Sequence, residues 1–248
     1  MDRVALITGG SRGIGAATAV LAAQQGWKVA VNYTAQAAAA DEVVRTILTA
    51  GGQAFAVQAD VADEAQVLAM FEAVDARFGP LTALVNNAGV VDLTSRVEAM
   101  SVTRLRRMFD INVIGSIVCA REAIRRMSTR HGGSGGAIVN VSSAAARLGA
   151  PGQYVDYAAA KGAIDVFTIG LAKEVAAEGI RVNAVRPGLI ETDIHASGGI
   201  PDRVQQLAHL VPMQRGGSAE EVAHAICWLM SPEASYTTMS LVDVSGGR

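Results

Sequence analysis

Val4-Ala-Leu-Ile-Thr-Gly-Gly-Ser-Arg-Gly-Ile-Gly15 decides how the rest of the sequence is read. Its apolar start, Val4 to Ile7, predicts a buried parallel strand. Gly9, Gly13 and Gly15 follow, and Ile14 to Ala23 predicts a helix lying back on that strand. Strand, glycine turn and helix in this order form the first half of a dinucleotide-binding unit. Glycine lets the backbone turn tightly and approach a pyrophosphate. The helix start offers N–H groups and the positive end of its dipole to the phosphates. The spacing is GxxxGxG rather than the commoner GxGxxG. A tight turn without a ligand would use the same glycines, so other parts of the chain must decide.

At 248 residues, half of them apolar, the chain has material for one compact α/β domain spanning 1–248. A net charge of −2 leaves no basic footprint for nucleic acid or an acidic membrane surface. No apolar run approaches membrane-spanning length, and Met1-Asp2-Arg3 leads directly into the first strand without a signal peptide. The expected setting is therefore cytoplasmic. Cys119 and Cys227 stand alone in apolar, helix-like segments and read as buried thiols. His131, His195, His209 and His224 show no metal-ligand spacing, so no metal is expected.

Strand and helix patterns alternate to the end. Strands are predicted at 28–32, 54–58, 83–86, 137–141, 180–185 and 239–244, with helices at 37–50, 63–78, 157–178 and 218–230. Ser101 reads as the N-cap of a helix carrying Arg104, Arg106 and Arg107, and a further helix holds Asn112 near its start. Asp63 to Gln66 and Ser218 to Glu221 read as capping boxes. The pattern predicts a doubly wound parallel sheet of about seven strands with helices on both faces. The less regular stretch 189–217 interrupts it and is a candidate substrate lid.

The second strand ends Asn32-Tyr33-Thr34, without the acidic residue that binds the ribose 2′-hydroxyl in NAD-specific sites. Arg12, beside Ser11 in the glycine turn, is suited to a 2′-phosphate. Both features favour NADP(H) over NAD(H). Asp60 follows the third strand and has two readings, adenine contact or cap of the next turn. Asn86-Asn87-Ala88-Gly89 places two amides at a strand end, where they can tie neighbouring strands together around a cofactor. Asn112 lies in apolar surroundings and must find partners or a function.

Tyr157 and Lys161 are four apart and share one helix face, in a chain whose lysines are Lys28, Lys161 and Lys173. A phenol titrates near 10; a neighbouring ammonium stabilises the phenolate, so the pair reads as a tuned acid/base. TGGSRGIG, Asp60, NNAG at 86–89, Asn112, Ser143, YAAAK at 157–161 and Pro187-Gly188 occur in one order. Together they resemble the short-chain dehydrogenase/reductase family over essentially the whole chain. Within that family the chain is similar to glucose 1-dehydrogenase-like and 3-oxoacyl-carrier-protein-reductase-like members.

The resemblance implies a single-domain Rossmann fold and hydride exchange between a nicotinamide and an alcohol/carbonyl pair. Tyr157 would be the general acid, and Lys161 would lower its pKa and bind the nicotinamide ribose. Ser143 would hold the substrate oxygen, and Asn112 would hold a water relaying protons to Lys161. Gly9, Ser11, Arg12, Gly13, Ile14 and Gly15 would cradle the cofactor, with Asn32, Tyr33 and Thr34 at its adenosine end. Asp60 and Val61 would contact adenine, Asn87, Ala88 and Gly89 the adenosine ribose side, and Pro187, Gly188, Ile190 and Thr192 the carboxamide. Ser143 precedes Tyr157 by fourteen positions, one more than the family's usual spacing, which leaves Ser142 as an alternative. Arg147, Tyr154, Asp156 and His195 are polar candidates for the substrate pocket and favour a sugar, polyol or small hydroxyketone. The alternative is a 3-oxoacyl-thioester, with Arg104, Arg107 and Arg126 as a carrier-docking surface. Family members are commonly homotetramers, and the same assembly is expected here.

Overall fold

Short apolar strands, each followed by a helix, leave the chain one economical solution: a parallel sheet with both faces covered. The computed structural model, which describes residues 3–192, 198–200 and 202–248, shows this arrangement. Seven strands are hydrogen-bonded in the order β3-β2-β1-β4-β5-β6-β7. They are β1 (Val4–Ile7), β2 (Lys28–Tyr33), β3 (Gln53–Gln58), β4 (Ala83–Asn86), β5 (Gly136–Val141), β6 (Ile180–Pro187) and β7 (Leu241–Val244), and every pairing is parallel.

Strand residues alternate between the two faces, and so do the cores beneath the helices. On one face Ala5, Ile7, Val29, Val31 and Val85 meet α1 (Gly13–Gln24), α2 (Ala37–Thr49) and a late helix at Ala219–Met230. On the other, Val4, Leu6, Ala30, Leu84 and Ile138 meet α3 (Glu64–Phe78), a helix at Gly115–Met127 and a long helix at Val155–Val175. The chain leaves β1 in one direction toward β2 and β3, and β4 starts the other half of the sheet. The carboxyl ends of β1 and β4 therefore border a crevice, the place where open α/β sheets bind ligands.

Several boundaries differ from the sequence expectation for physical reasons. The two helices expected around Asn112 are one bent rod: α4 (Val102–Phe109) passes through a wide π-turn at Asp110–Ile114 into α5 (Gly115–Met127). Asp63 caps α3 by accepting from the Gln66 N–H, yet the Gln66 side chain returns to the Asp60 N–H at 2.9 Å, so the expected reciprocal box is not closed. A short helix, α6 (Ala145–Leu148), precedes the long helix α7 (Val155–Val175), whose last expected turn is a 3₁₀ turn at Ala176–Glu178. Met239 has φ +65°, which delays β7 to Leu241. The irregular stretch after β6 contains α8 (Arg203–Leu207), and Ser218 caps α9 (Ala219–Met230) with a closed box.

A buried polar chain ties β4 and β5 to the helices α5 and α7 packed on them. Asn86 and Asn140 face each other across β4 and β5. Asn86 Nδ2 donates to Asn140 Oδ1 and to the Ser116 carbonyl, each at 3.0 Å. Asn140 Nδ2 donates to Thr168 Oγ1 at 2.9 Å. Asn140→Ala strands partners on both sides of a fully buried site. It is expected to lower the unfolding free energy by about 2 kcal/mol, read as a lower urea midpoint at unchanged m.

Candidate active site

The glycine turn is held from three sides. Asn87 Nδ2 donates to the carbonyls of Thr8 and Gly9, both at 2.9 Å. Thr8 Oγ1 accepts from the N–H groups of Asn87 and Ala88, both at 3.0 Å. Asn32, 1% exposed, accepts from the Gly9 N–H through Oδ1 and donates through Nδ2 to the carbonyls of Val57 and Ala59. Its side chain thus lies behind the turn and is spent on the backbone, so it is not presented to a ligand. Gly9 and Gly13 have φ +61° and +53°, a left-handed backbone that favours glycine. The resulting loop delivers the N–H groups of α1 to the crevice, and no side chain caps them among the described residues.

Around this turn the other expected cofactor residues are placed as follows. Arg12 is exposed at the helix start, with no ion-pair partner among the described residues. Ser11 is half-buried beside it. Tyr33 is half-buried, and Thr34 is exposed with its hydroxyl 3.4 Å from the Ala59 carbonyl. Asp60 is half-buried and accepts from the Ala62 N–H through Oδ1 at 2.9 Å, so it caps the turn. Val61 is buried against Gly115, where a side chain would lie 2.7 Å from the Val61 carbonyl oxygen. Thr192 reaches back to Gly13: a β-carbon there would stand 3.2 Å from the Thr192 methyl.

At the carboxyl end of β5 the two serines part. Ser142 is buried and donates to the Lys161 carbonyl at 3.2 Å. Ser143 is half-buried, accepts from the Ala145 N–H at 3.1 Å and lines the cleft with the Tyr157 phenol. One turn on, Lys161 is 4% exposed; its ammonium donates to the Val141 carbonyl at 2.7 Å and stands 5.6 Å from the Tyr157 ring centre. Burial lowers the lysine to about 8, against a smaller opposite pull from Asp165. Burial raises the Tyr157 phenol, and the Ser143 hydroxyl offsets only part of that. The direction differs from the expected one: the phenol is raised, because desolvation outweighs the lowering by Ser143, and the Lys161 ammonium is aimed at the Val141 carbonyl. Asn112 is fully buried and clips the chain after Gly89, donating to Val90 O at 3.0 Å and accepting from Val90 N at 3.2 Å. A side chain at Gly89 would lie 2.8 Å from Asn112 Oδ1 and 3.5 Å from Lys161 Nζ.

These residues open into a cleft of about 480 Å³ that Ile14, Asn87, Gly89, Ser143, Tyr157, Lys161, Pro187, Gly188, Ile190 and Thr192 help to line. Of the expected pocket residues, Tyr154 lines it, with its hydroxyl 3.1 Å from the Gly198 carbonyl. Asp156 does not: both oxygens are taken by Arg104, at 2.7 and 3.2 Å. Arg147 turns outward to Asp243 and the Arg248 carbonyl. His195 lies outside the described residues. The lining comes from 144–157 and 187–210 among others, as expected for 144–156 and 189–210; Gln153 and Arg203, within those segments but not among the named polar candidates, line it together, Arg203 donating to Gln153 Oε1 at 2.7 Å. Cys119 and Cys227 are buried, each pushed up to about 12, and neither lines the cleft.

Residues 9–248 match a family model described as enoyl-(acyl carrier protein) reductase. The chain is 59% identical over 245 residues to the "Uncharacterized oxidoreductase YgfF" of Escherichia coli (strain K12), covering 99% of each. It is 39% identical to a 3-oxoacyl-[acyl-carrier-protein] reductase of Synechocystis, covering 99% of this chain and 96% of that one. A mutant short-chain dehydrogenase/reductase of Serratia marcescens superposes with a TM-score of 0.91 at 35% identity, covering 99% and 97%. The chain belongs to the short-chain dehydrogenase/reductase family.

A short-chain dehydrogenase/reductase is an oxidoreductase that uses NAD(P), and the uncapped amino end of α1 above a glycine-rich turn fits the pyrophosphate of such a cofactor. No helix among the described residues is long and apolar enough to cross a membrane. The buried Lys161 also makes a stability prediction. In the unfolded chain it titrates near its ordinary 10.5, in the folded chain near 8, so the folded state binds the proton less tightly. The penalty is complete below pH 8 and fades as the pH rises toward 10.5. Unfolding measured across that window is expected to show the wild type gaining stability relative to Lys161→Met, which carries no titrating group.

Proposed function

We propose that this enzyme is an NADP(H)-preferring oxidoreductase of an alcohol/carbonyl pair, with Ser143, Tyr157 and Lys161 performing the proton chemistry. The observation that carries the reading is that Ser143 and Tyr157 line one cleft beside α1, with the buried Lys161 ammonium one helical turn on. A carbonyl oxygen in that position would accept hydrogen bonds from both hydroxyls. The bound nicotinamide supplies or receives the hydride. As negative charge grows on the substrate oxygen, Tyr157 transfers its proton there, and Ser143 holds the developing oxyanion. Lys161 stabilises the phenolate left behind. Alcohol oxidation runs the same transfers backwards. Asn112 acts through the backbone, holding Val90 and with it Gly89 against Lys161.

Preference for NADP(H) is supported by the exposed Arg12, which has no ion-pair partner among the described residues, and by the absence of a carboxylate at the end of β2. Asn32 is buried there and committed to the turn. The stretch 189–217 serves as the substrate lid; its base is clamped by Glu191 and Gly217 pairing with Gly217 and Leu189 at 2.9 Å. A sugar or polyol loses support, because Asp156 and Arg147 form ion pairs outside the cleft. The walls at Val91, Leu148, Leu189, Leu207 and Leu210 support an apolar substrate body. The same walls, and the Synechocystis relative, support 3-oxoacyl thioesters as a second reading. For that reading Arg104 and Arg126 contribute no docking charge, since both are engaged with carboxylates. The homotetramer is supported by exposed apolar side chains at Val102, Ile114, Ile117 and Val166 on α4, the π-turn, α5 and α7. Unpaired, buried thiols suit a cytoplasmic setting.

Tyr157→Phe removes only the hydroxyl. It is expected to lower kcat by about 10²–10⁴-fold while NADPH affinity stays at the wild-type value; undiminished turnover would end the proton-transfer role. Arg12→Ala is expected to weaken NADPH by about ten- to a hundredfold and leave NADH unchanged in fluorescence titrations. Equal losses for the two would show that Arg12 does not read the 2′-phosphate.

A further inference from the structure

The charged side chains lining the cleft are all cationic. Lys161, Arg203 and Arg248 reach it, and no aspartate or glutamate does so among the described residues. The carboxylate beside Tyr157 in sequence, Asp156, is locked onto Arg104 with none of its side chain exposed. Lys161 is committed to the Val141 carbonyl beside Tyr157.

Among the described residues Arg203, like Arg12 and Arg181, has no carboxylate partner, but of these three it alone lines the cleft. Arg104, Arg121, Arg126, Arg130, Arg186 and Arg215 each pair with a carboxylate. Among the described residues the partners of Arg203 are neutral: Gln153 Oε1 at 2.7 Å and the face of Tyr154, 5.2 Å from its ring centre. The support is itself fixed, because the Tyr154 hydroxyl bonds the Gly198 carbonyl at 3.1 Å. Stacking orients the guanidinium plane, and one donor is used on Gln153, so an N–H fork remains for a planar acceptor. Around it the walls are apolar, which strengthens attraction for an anion and weakens competition from water.

We infer that the cleft takes an oxo acid, or in the reverse direction the corresponding hydroxy acid, with the carboxylate held by Arg203. The apolar body spans the cleft and the carbonyl lies at Ser143 and Tyr157. The assignment rests on the carbonyl seat proposed above. The reaction balances as oxo acid, NADPH and a proton giving hydroxy acid and NADP⁺, and the carboxylate is unchanged. A neutral ester of the same shape leaves the guanidinium without its counter-charge.

The test uses oxo acids with two to six bonds between carbonyl and carboxylate, 4-carboxybenzaldehyde among them, each against its methyl ester. Wild type is expected to favour the acid by about tenfold or more in kcat/KM, mainly through KM. Arg203→Met, which keeps an apolar stem and removes the fork, is expected to bring acid and ester together. Equal use of acid and ester by the wild type would overturn the anchor while leaving the carbonyl chemistry standing. A preference that survives in Arg203→Met, or a loss of NADPH affinity in that variant instead, would overturn the assignment to Arg203. Calorimetry of the same acids with the NADP⁺ complex, in which no reduction can occur, separates the two levels. Acid binding that depends on Arg203 without turnover on NADPH would keep the anchor and defeat the oxidoreductase chemistry.

Discussion

The close approach of the glycine turn to the end of β4 is the constraint on which the site depends. A β-carbon at Gly15 would overlap the Gly9 carbonyl oxygen and lie 2.5 Å from Asn87 Nδ2. With no side chain there, α1 settles against the turn, and Asn87 can clamp the Thr8 and Gly9 carbonyls. That clamp fixes the chain leaving β4, which then passes Asn112 and Lys161 at Gly89. One missing side chain therefore registers the cofactor end of the crevice with the chemical end. The parallel sheet does the rest, because all its carboxyl ends face the same way.

Strands were legible because buried parallel strands are uninterrupted apolar runs; β1 and β4 lie where such runs place them. The Tyr157–Lys161 pair was legible because helical periodicity alone puts four-apart residues on one face. The direction of an amide or a carboxylate was not. Asn32 and Asp156 are polar residues near a ligand site in sequence, and only the fold shows Asn32 turned behind the glycine turn and Asp156 turned to Arg104, 52 residues away. The stretch that carries Arg203 was expected at the pocket, but Arg203 itself was not singled out, because weak periodicity there does not say which side chains point inward. Its partners Gln153 and Tyr154 are 50 or so positions earlier, a separation to which local pattern is blind.

The distribution of ion pairs shapes the site by subtraction. Pairing Asp156 with Arg104 removes a carboxylate that α7 would otherwise present beside Tyr157, and pairing Asp165 with Arg186 ties up one that still exerts a small pull on Lys161. Buried pairs of this kind add little net stability against apolar replacements, since desolvation offsets most of the attraction. Their effect here is on geometry and field. Arg104 also donates to the Leu93 carbonyl at 2.6 Å, so the start of α7, α4 and the chain after Gly89 are joined at one guanidinium. The residue next to Asp156 is Tyr157, so whatever holds that carboxylate also sets the phenol's position.

The opposed shifts of Tyr157 and Lys161 carry a consequence for the direction of the reaction. Burial raises the phenol and lowers the amine to about 8, so at neutral pH the phenol keeps its proton and the lysine remains charged. This is the protonation state from which a carbonyl can be reduced: the acid is loaded, and the cation that will face the phenolate is in place. Oxidation of an alcohol needs the phenolate first, and burial opposes it. Raising the pH to form that phenolate first discharges Lys161, which removes the stabilising cation. On the proposed proton chemistry, forming the phenolate that alcohol oxidation needs has to draw on interactions that bound ligands add to the site.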